Sequence, residues 1–73
     1  MRSYLVEYEG YRARVERDRD GLLHGRVIEL EEVITFKAIS FRMVESKFQM
    51  ALLGYFARCE KMGIKPEEPK VTF

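Results

Sequence analysis

The sequence predicts an α+β fold, in which one long helix packs on one face of a three-stranded antiparallel meander. Segments with a two-residue apolar period come first, and a long segment with apolar residues at three- and four-residue steps follows. A chain of 73 residues buries only about 60% of its unfolded surface, so we expect one domain spanning residues 1–73. A helix covering a sheet is the two-layer arrangement that gives such a chain a core.

The first strand segment runs from Ser3 to Val15. Gly10 interrupts its alternation, so the pattern fits either one bent strand or two short ones. The segment Asp18–Gly21 is typical of a hairpin turn, because aspartate forms Asx turns and glycine accepts a positive φ. We therefore expect a second strand directly after it.

The returning strand is predicted at Leu22–Leu30, and a third, β-branched run at Val33–Ile39. A turn at Glu31-Glu32 separates the two. The last residues, Val71–Phe73, are candidates for a short fourth strand at the C-terminus or for docking against a neighbour.

The helix is predicted over residues 41–62. Ser40 suits the N-cap, and Ile39 with Val44 fits a hydrophobic staple. Gly63 fits a Schellman stop. The predicted core stripe consists of Phe41, Val44, Phe48, Ala51, Leu52, Tyr55, Cys59 and Met62.

A second apolar face lies on the side of the helix away from this stripe. It consists of Met43, Met50, Leu53, Gly54 and Ala57. A helix that is apolar on two sides is usually buried on two sides, and the sheet covers only one of them. We therefore predict an oligomer interface there, formed with a second copy of the chain or with a protein partner. The alternative is that the two methionines are scattered exposed side chains.

Composition argues against several classes of function. Thirteen Lys+Arg against twelve Asp+Glu leave a net charge of +1, so no whole-molecule field attracts nucleic acid or acidic lipid. One cysteine and one histidine cannot form an intramolecular disulfide or complete a four-ligand zinc site. No apolar run reaches the length of a signal peptide or a membrane span, and the lone cysteine fits a reducing compartment, so we expect a cytoplasmic protein. No Gly-rich phosphate loop, His-Glu-x-x-His or Cys-x-x-Cys motif is present, so we expect no cofactor.

The sequence shows no catalytic constellation, and we expect no enzyme. His24 stands in a predicted strand, and nothing in the sequence brings Asp20 or Glu29 to it as an orienting carboxylate. A hydrolase dependent on His24 is therefore the third hypothesis.

The lone cysteine and the paired glutamates carry no predicted chemistry. Cys59 lies on the core stripe, where a thiol behaves as a small buried hydrophobe. Glu31-Glu32 and Glu67-Glu68 fall in a turn and in the proline-containing tail. We expect these carboxylates to be solvated loop charges.

The alternative function is RNA binding. Arg12, Arg14 and Arg26 are predicted on the outer side of the sheet, with tyrosines nearby for stacking. Glutamates interleave with the arginines, at Glu7, Glu9, Glu16 and Glu29. Cross-strand ion pairs explain this pattern at least as well as nucleic-acid contacts do.

Short motifs along the chain carry a family resemblance. They are Gly10-Tyr11, the Asp-x-Asp-Gly turn at residues 18–21, His24–Ile28, Val33–Phe36, Ser40, Tyr55, Cys59, Gly63 and Pro66-Glu67-x-Pro69. In order and spacing the chain resembles the N-terminal domain of HicB-type antitoxins over nearly its whole length. The resemblance implies a partial RNase H-like domain without catalytic residues, which blocks a HicA ribonuclease toxin and forms dimers or larger assemblies.

Two features depart from the pattern of that family. The helix-turn-helix or ribbon-helix-helix segment that usually follows the domain is not found in these 73 residues, so DNA binding is not implied. Glu29–Glu32 replaces a proline-containing loop between the second and third strands. We expect a stand-alone HicB-like antitoxin or a solitary relative, which contacts a toxin with its sheet edge or its outer sheet face.

Overall fold

The computed structural model describes residues 3–70. Four strands, β1 (Ser3–Tyr8), β2 (Tyr11–Arg17), β3 (Leu23–Val27) and β4 (Thr35–Ala38), precede one helix, α1 (Phe41–Met62). The strands pair antiparallel in chain order, and α1 packs on the sheet. The predicted α+β class is confirmed, with four strands in place of three before the helix. The C-terminal strand predicted at residues 71–73 lies outside the described residues.

The additional strand arises because the N-terminal segment folds as a hairpin. Glu9 and Gly10 have φ values of 52° and 84° and connect β1 to β2, so that Tyr8 pairs with Tyr11. Two consecutive residues with positive φ match the twist of a tight hairpin. Of the two alternatives for this segment, two short strands is therefore the correct one.

The next two strands are shorter than predicted. β3 ends at Val27, and β4 begins at Thr35. Between them Glu29 has a φ of 69°, which a regular strand does not allow. Val33, predicted in a strand, is 61% exposed in the connecting loop.

The core lies between one face of the sheet and one face of α1. Its members are Tyr11, Ala13, Val15, Leu23, Val27, Ile34, Phe36, Ala38, Val44, Phe48, Leu52, Tyr55 and Cys59. Phe36 stacks on the fully buried Phe48, with ring centroids 5.5 Å apart. Gly25 lies directly against the Phe36 ring, which leaves no room for a Cβ. Phe41 and Met62, predicted on the core stripe, are exposed at the two ends of the helix.

The helix begins and ends at the predicted residues. Ser40 has the extended backbone of an N-cap, but its side chain makes no capping hydrogen bond, and Ile39 is too exposed to form the predicted staple. At the other end Gly63 is left-handed, with a φ of 72°. The amides of Gly63 and Ile64 donate to carbonyls of the last turn at 3.1 and 2.9 Å, which confirms the Schellman stop.

Candidate interaction surfaces

The predicted oligomer interface lies on the surface of the monomer. Met43, Met50 and Leu53 are 38%, 62% and 55% exposed, and Gly54 and Ala57 are exposed as well. We call these five residues the outer helix face. The opposite side of α1 carries the buried stripe, so the helix is apolar on two sides and covered by the sheet on one. Burial of the outer helix face by a second chain stays a prediction.

The spacing of the outer helix face suits contact with another helix. Met43, Met50 and Ala57 recur at seven-residue intervals, and Leu53 lies between the last two. This is the spacing of a coiled-coil seam. Fourteen residues of helix give a seam of about 21 Å. Gly54 beside it adds no side chain that would hold a partner away.

The other face of the sheet, away from α1, is the outer sheet face. Its central row, in cross-strand register, consists of Leu5, Arg14, Arg26 and Thr35. The tyrosines expected beside these arginines lie on the opposite side. Tyr4, Tyr8 and Tyr11 each pack against a phenylalanine of α1, with centroids 5.7, 6.5 and 5.4 Å apart. These three rings therefore do not lie on the outer sheet face, and RNA binding itself stays a prediction.

The three predicted RNA-contacting arginines differ in their surroundings. Arg12 donates two hydrogen bonds to the Glu29 carboxylate, at 2.9 Å from Nε and 2.7 Å from Nη2. These bonds hold the pKa of Glu29 below its ordinary value. Arg14 instead faces Arg26 directly across β2 and β3. Within residues 3–70 neither of these two guanidinium groups forms an ion pair.

His24 has a carboxylate partner that the sequence did not indicate. Its Nε2 lies 2.7 Å from Oδ2 of Asp18, whereas within residues 3–70 neither Asp20 nor Glu29 forms an ion pair or hydrogen bond with it. The other carboxylate oxygen of Asp18 accepts from the amides of Asp20 and Leu22, both at 2.9 Å. The bond from His24 is the main cause of the lowered pKa of Asp18. The Asx-turn position of Asp18 beside a returning strand is the signal that could have predicted this contact.

The two acidic pairs come together at one end of the molecule. The Glu67 carboxylate accepts from the amides of Glu31 and Glu32, at 2.8 and 2.9 Å. The Glu67 amide donates to the Tyr55 hydroxyl at 2.8 Å, and the Tyr11 hydroxyl donates to the Glu67 carbonyl. The two amides lower the pKa of Glu67. The prediction of a solvated loop charge is therefore wrong for Glu67, which fastens the tail to the β3–β4 loop.

The thiol is buried and the potential metal ligands do not cluster in the part of the chain that the structure describes. Cys59 is 2% exposed in the core, as predicted. Over residues 3–70 no group of three or more His, Cys, Asp or Glu side chains is arranged to hold a metal ion. The helix in this range is not apolar enough over a sufficient length to cross a membrane.

Comparisons of the chain with known protein families, with curated proteins and with solved structures found no match.

Proposed function

We propose that this protein is a non-catalytic interaction module, a HicB-like antitoxin or a solitary relative of one. It self-associates through the outer helix face, and it binds and blocks a small ribonuclease toxin. The observation that carries the proposal is the exposed apolar outer helix face, on a helix whose other side is already buried.

Self-association follows from the cost of leaving that face in water. Contiguous exposed apolar patches on small soluble proteins mark contact surfaces. A two-fold axis would place the same residues of two copies against each other, so one patch serves both sides. Gly54 and Ala57 would let the two helices approach to about 8 Å, the near limit of helix packing.

A basic toxin is better matched by the acidic end of the molecule than by its outer sheet face. The acidic end is formed by Glu31, Glu32 and Glu68, which are all exposed, and the Lys70 ammonium lies 3.8 Å from the Glu31 carboxylate there. The Glu67 hydrogen bonds hold the loop and the tail that carry them in one place. Opposite charges favour association, whereas the unpaired Arg14 and Arg26 would repel a basic surface. We therefore assign the toxin contact to the acidic end.

RNA binding, the alternative, has less support. Arg12 is held by Glu29, and the rings of Tyr4, Tyr8 and Tyr11 contact phenylalanines of α1 on the other side of the sheet. Proteins that bind single strands without sequence preference combine a basic groove with exposed aromatic rings on which bases stack.

The test of toxin blocking is co-expression with a small basic protein, which the proposal expects to be encoded beside this gene. The neighbour alone should arrest growth, and this protein should relieve the arrest. Charge reversal at the acidic end, Glu31→Lys with Glu68→Lys, should abolish the relief because it replaces attraction by repulsion. Glu16→Lys with Glu45→Lys, the same change of charge at two exposed residues outside the acidic end, is the matched control and should keep it. Arrest that persists with the wild-type protein would refute the antitoxin function.

The test of the outer helix face is Leu53→Asp. A buried carboxylate in an apolar interface is strongly unfavourable, so this variant should be monomeric with an unchanged circular dichroism spectrum. Ile39→Asp, at an apolar residue that is 79% exposed outside the interface, is the control and should keep the wild-type mass. Unchanged sedimentation of Leu53→Asp would rule out the assignment of this face.

A further inference from the structure

We propose that Arg14 and Arg26 form an oxyanion site on the outer sheet face, and that its ligand is an extended acidic segment of a partner protein. This site lies on the layer opposite to the outer helix face. Its residues differ from those proposed for self-association and from those of the acidic end.

The positive charges of Arg14 and Arg26 lie side by side and are not balanced. Arg14 and Arg26 are direct cross-strand partners, and such partners have Cβ atoms about 4.5–5.5 Å apart. Like charges in this position destabilise a sheet. The neighbouring Arg12 is neutralised by Glu29, but within residues 3–70 no carboxylate is paired with Arg14 or Arg26. A carboxylate from outside would remove this repulsion.

The two guanidinium groups offer hydrogen-bond donors that suit a carboxylate, and there is open space next to them. Guanidinium groups present planar pairs of N–H donors that match a carboxylate, and two adjacent arginines offer two such pairs. An open depression of about 790 Å³ lies over this part of the outer sheet face. Arg14, Arg26 and Lys37 line it, together with the carboxylates of Glu16, Asp18 and Glu29. Of these three carboxylates, Asp18 is engaged by His24 and Glu29 by Arg12. The arginines thus face a volume large enough for a peptide side chain.

The spacing of the cations also suits an extended peptide. Thr35 is the partner of Arg26 across the sheet, and Lys37, two residues after Thr35 in β4, lies in the next row on the same face. Two residues of extended chain span about 6.6–6.8 Å. Alternate residues of an extended peptide have the same repeat, so carboxylates two residues apart can meet both rows. The arrangement matches acidic residues at every second position.

An acidic peptide fits this face better than a nucleic acid does. Exposed Glu7 and Glu16 lie on the same face and repel phosphates and carboxylates alike, so the preference for a peptide rests on the position of the aromatic rings. The aromatic rings of the three N-terminal tyrosines lie on the other side of the sheet. The site offers separate oxyanion contacts without a stacking platform.

The experiment measures fluorescence anisotropy of a labelled octapeptide of alternating glutamate and serine, titrated with the full chain at about 0.1 M salt, where charges are screened beyond about 10 Å. Arg14→Gln and Arg26→Gln should each weaken binding at least about tenfold, since each removes a charge-assisted pair of hydrogen bonds. Arg42→Gln, an exposed arginine of α1, removes the same charge elsewhere and should leave binding unchanged. Labelled octauridine is the nucleic-acid comparison and should bind more weakly than the peptide.

Several results would overturn the proposal. The first is that the wild-type protein does not bind the peptide, and the second is that the Arg14→Gln and Arg26→Gln variants bind it as tightly as the wild-type protein does. The third is that Arg42→Gln weakens binding as much as these two variants do, and the fourth is that octauridine binds more tightly than the peptide. A second readout does not depend on the ligand. Arg26→Gln should raise the thermal midpoint at low salt because it removes repulsion, and a lowered midpoint would contradict the unbalanced pair.

Discussion

The Gly25→Ala substitution tests the packing that holds the sheet to the helix. A Cβ at position 25 would lie 2.0 Å from Cζ of Phe36 and 2.4 and 2.5 Å from two further atoms of that ring. Ordinary contact begins at 3.4 Å, so the ring would have to move by about 1.4 Å (3.4 − 2.0). Phe36 cannot move inward, because it stacks on Phe48, which is fully buried.

Two responses to this clash set the size of the effect. If the core adjusts around the added methyl group, overpacking costs about 1–3 kcal/mol. If the Phe36 ring leaves the core, the loss approaches that of a Phe→Ala substitution, about 3–5 kcal/mol. We expect about 3 kcal/mol, which lowers the thermal midpoint of a domain of this size by about 12 °C or more.

The assay is urea unfolding followed by circular dichroism, with linear extrapolation of the free energy. Gly54→Ala is the matched control, since the same added Cβ meets no atom within 4 Å there and alanine favours a helix interior. Both substitutions are made in the Leu53→Asp background, so that self-association does not contribute. A Gly25→Ala protein within about 0.5 kcal/mol of its parent, the range of an ordinary surface substitution, would refute the reasoning.

Two further predictions concern the carboxylates whose pKa values are lowered and the hydrogen bonds of Glu67. Because the folded pKa values of Asp18, Glu29 and Glu67 are all lowered, their stabilising contribution is complete above the ordinary carboxyl pKa of about 4 and is lost as the pH falls through the folded values. The urea midpoint should therefore drop from pH 7 to pH 3, and Glu67→Gln should reduce this drop; an equal drop in Glu67→Gln would contradict the role of its carboxylate. Tyr11→Phe should cost about 1 kcal/mol in thermal unfolding, because it removes the hydrogen bond to the Glu67 carbonyl, whereas an unchanged midpoint would show that this bond contributes nothing.

The sequence predicts those parts of the fold that depend on cap residues, turn residues and the apolar period. The limits of α1 follow from Ser40 and Gly63, and the five buried residues of the helix belong to the predicted stripe. The turn after β2 follows from the Asx geometry of Asp18, whose carboxylate accepts from amides two and four residues later. Each of these features is determined by neighbours in the chain.

The remaining features depend on contacts that local patterns do not encode. The β1–β2 turn places Glu9 at a positive φ, and a glutamate in a sequence does not indicate this conformation. The Glu67 carboxylate accepts from the amides of Glu31 and Glu32, which precede it in the chain by 36 and 35 positions. The pairing of Arg14 with Arg26 depends on the register of β2 against β3. The turn geometry and the pattern of buried residues determine this register together, so neither of them alone predicts it.

The most direct test of the central claim is the mass of the full chain by sedimentation equilibrium over a range of concentrations. An interaction module that self-associates through its outer helix face should have a mass of at least about twice the chain mass of 8.7 kDa. A mass of 8.7 kDa at every concentration would contradict the account, because the outer helix face would then remain in water with no second copy covering it.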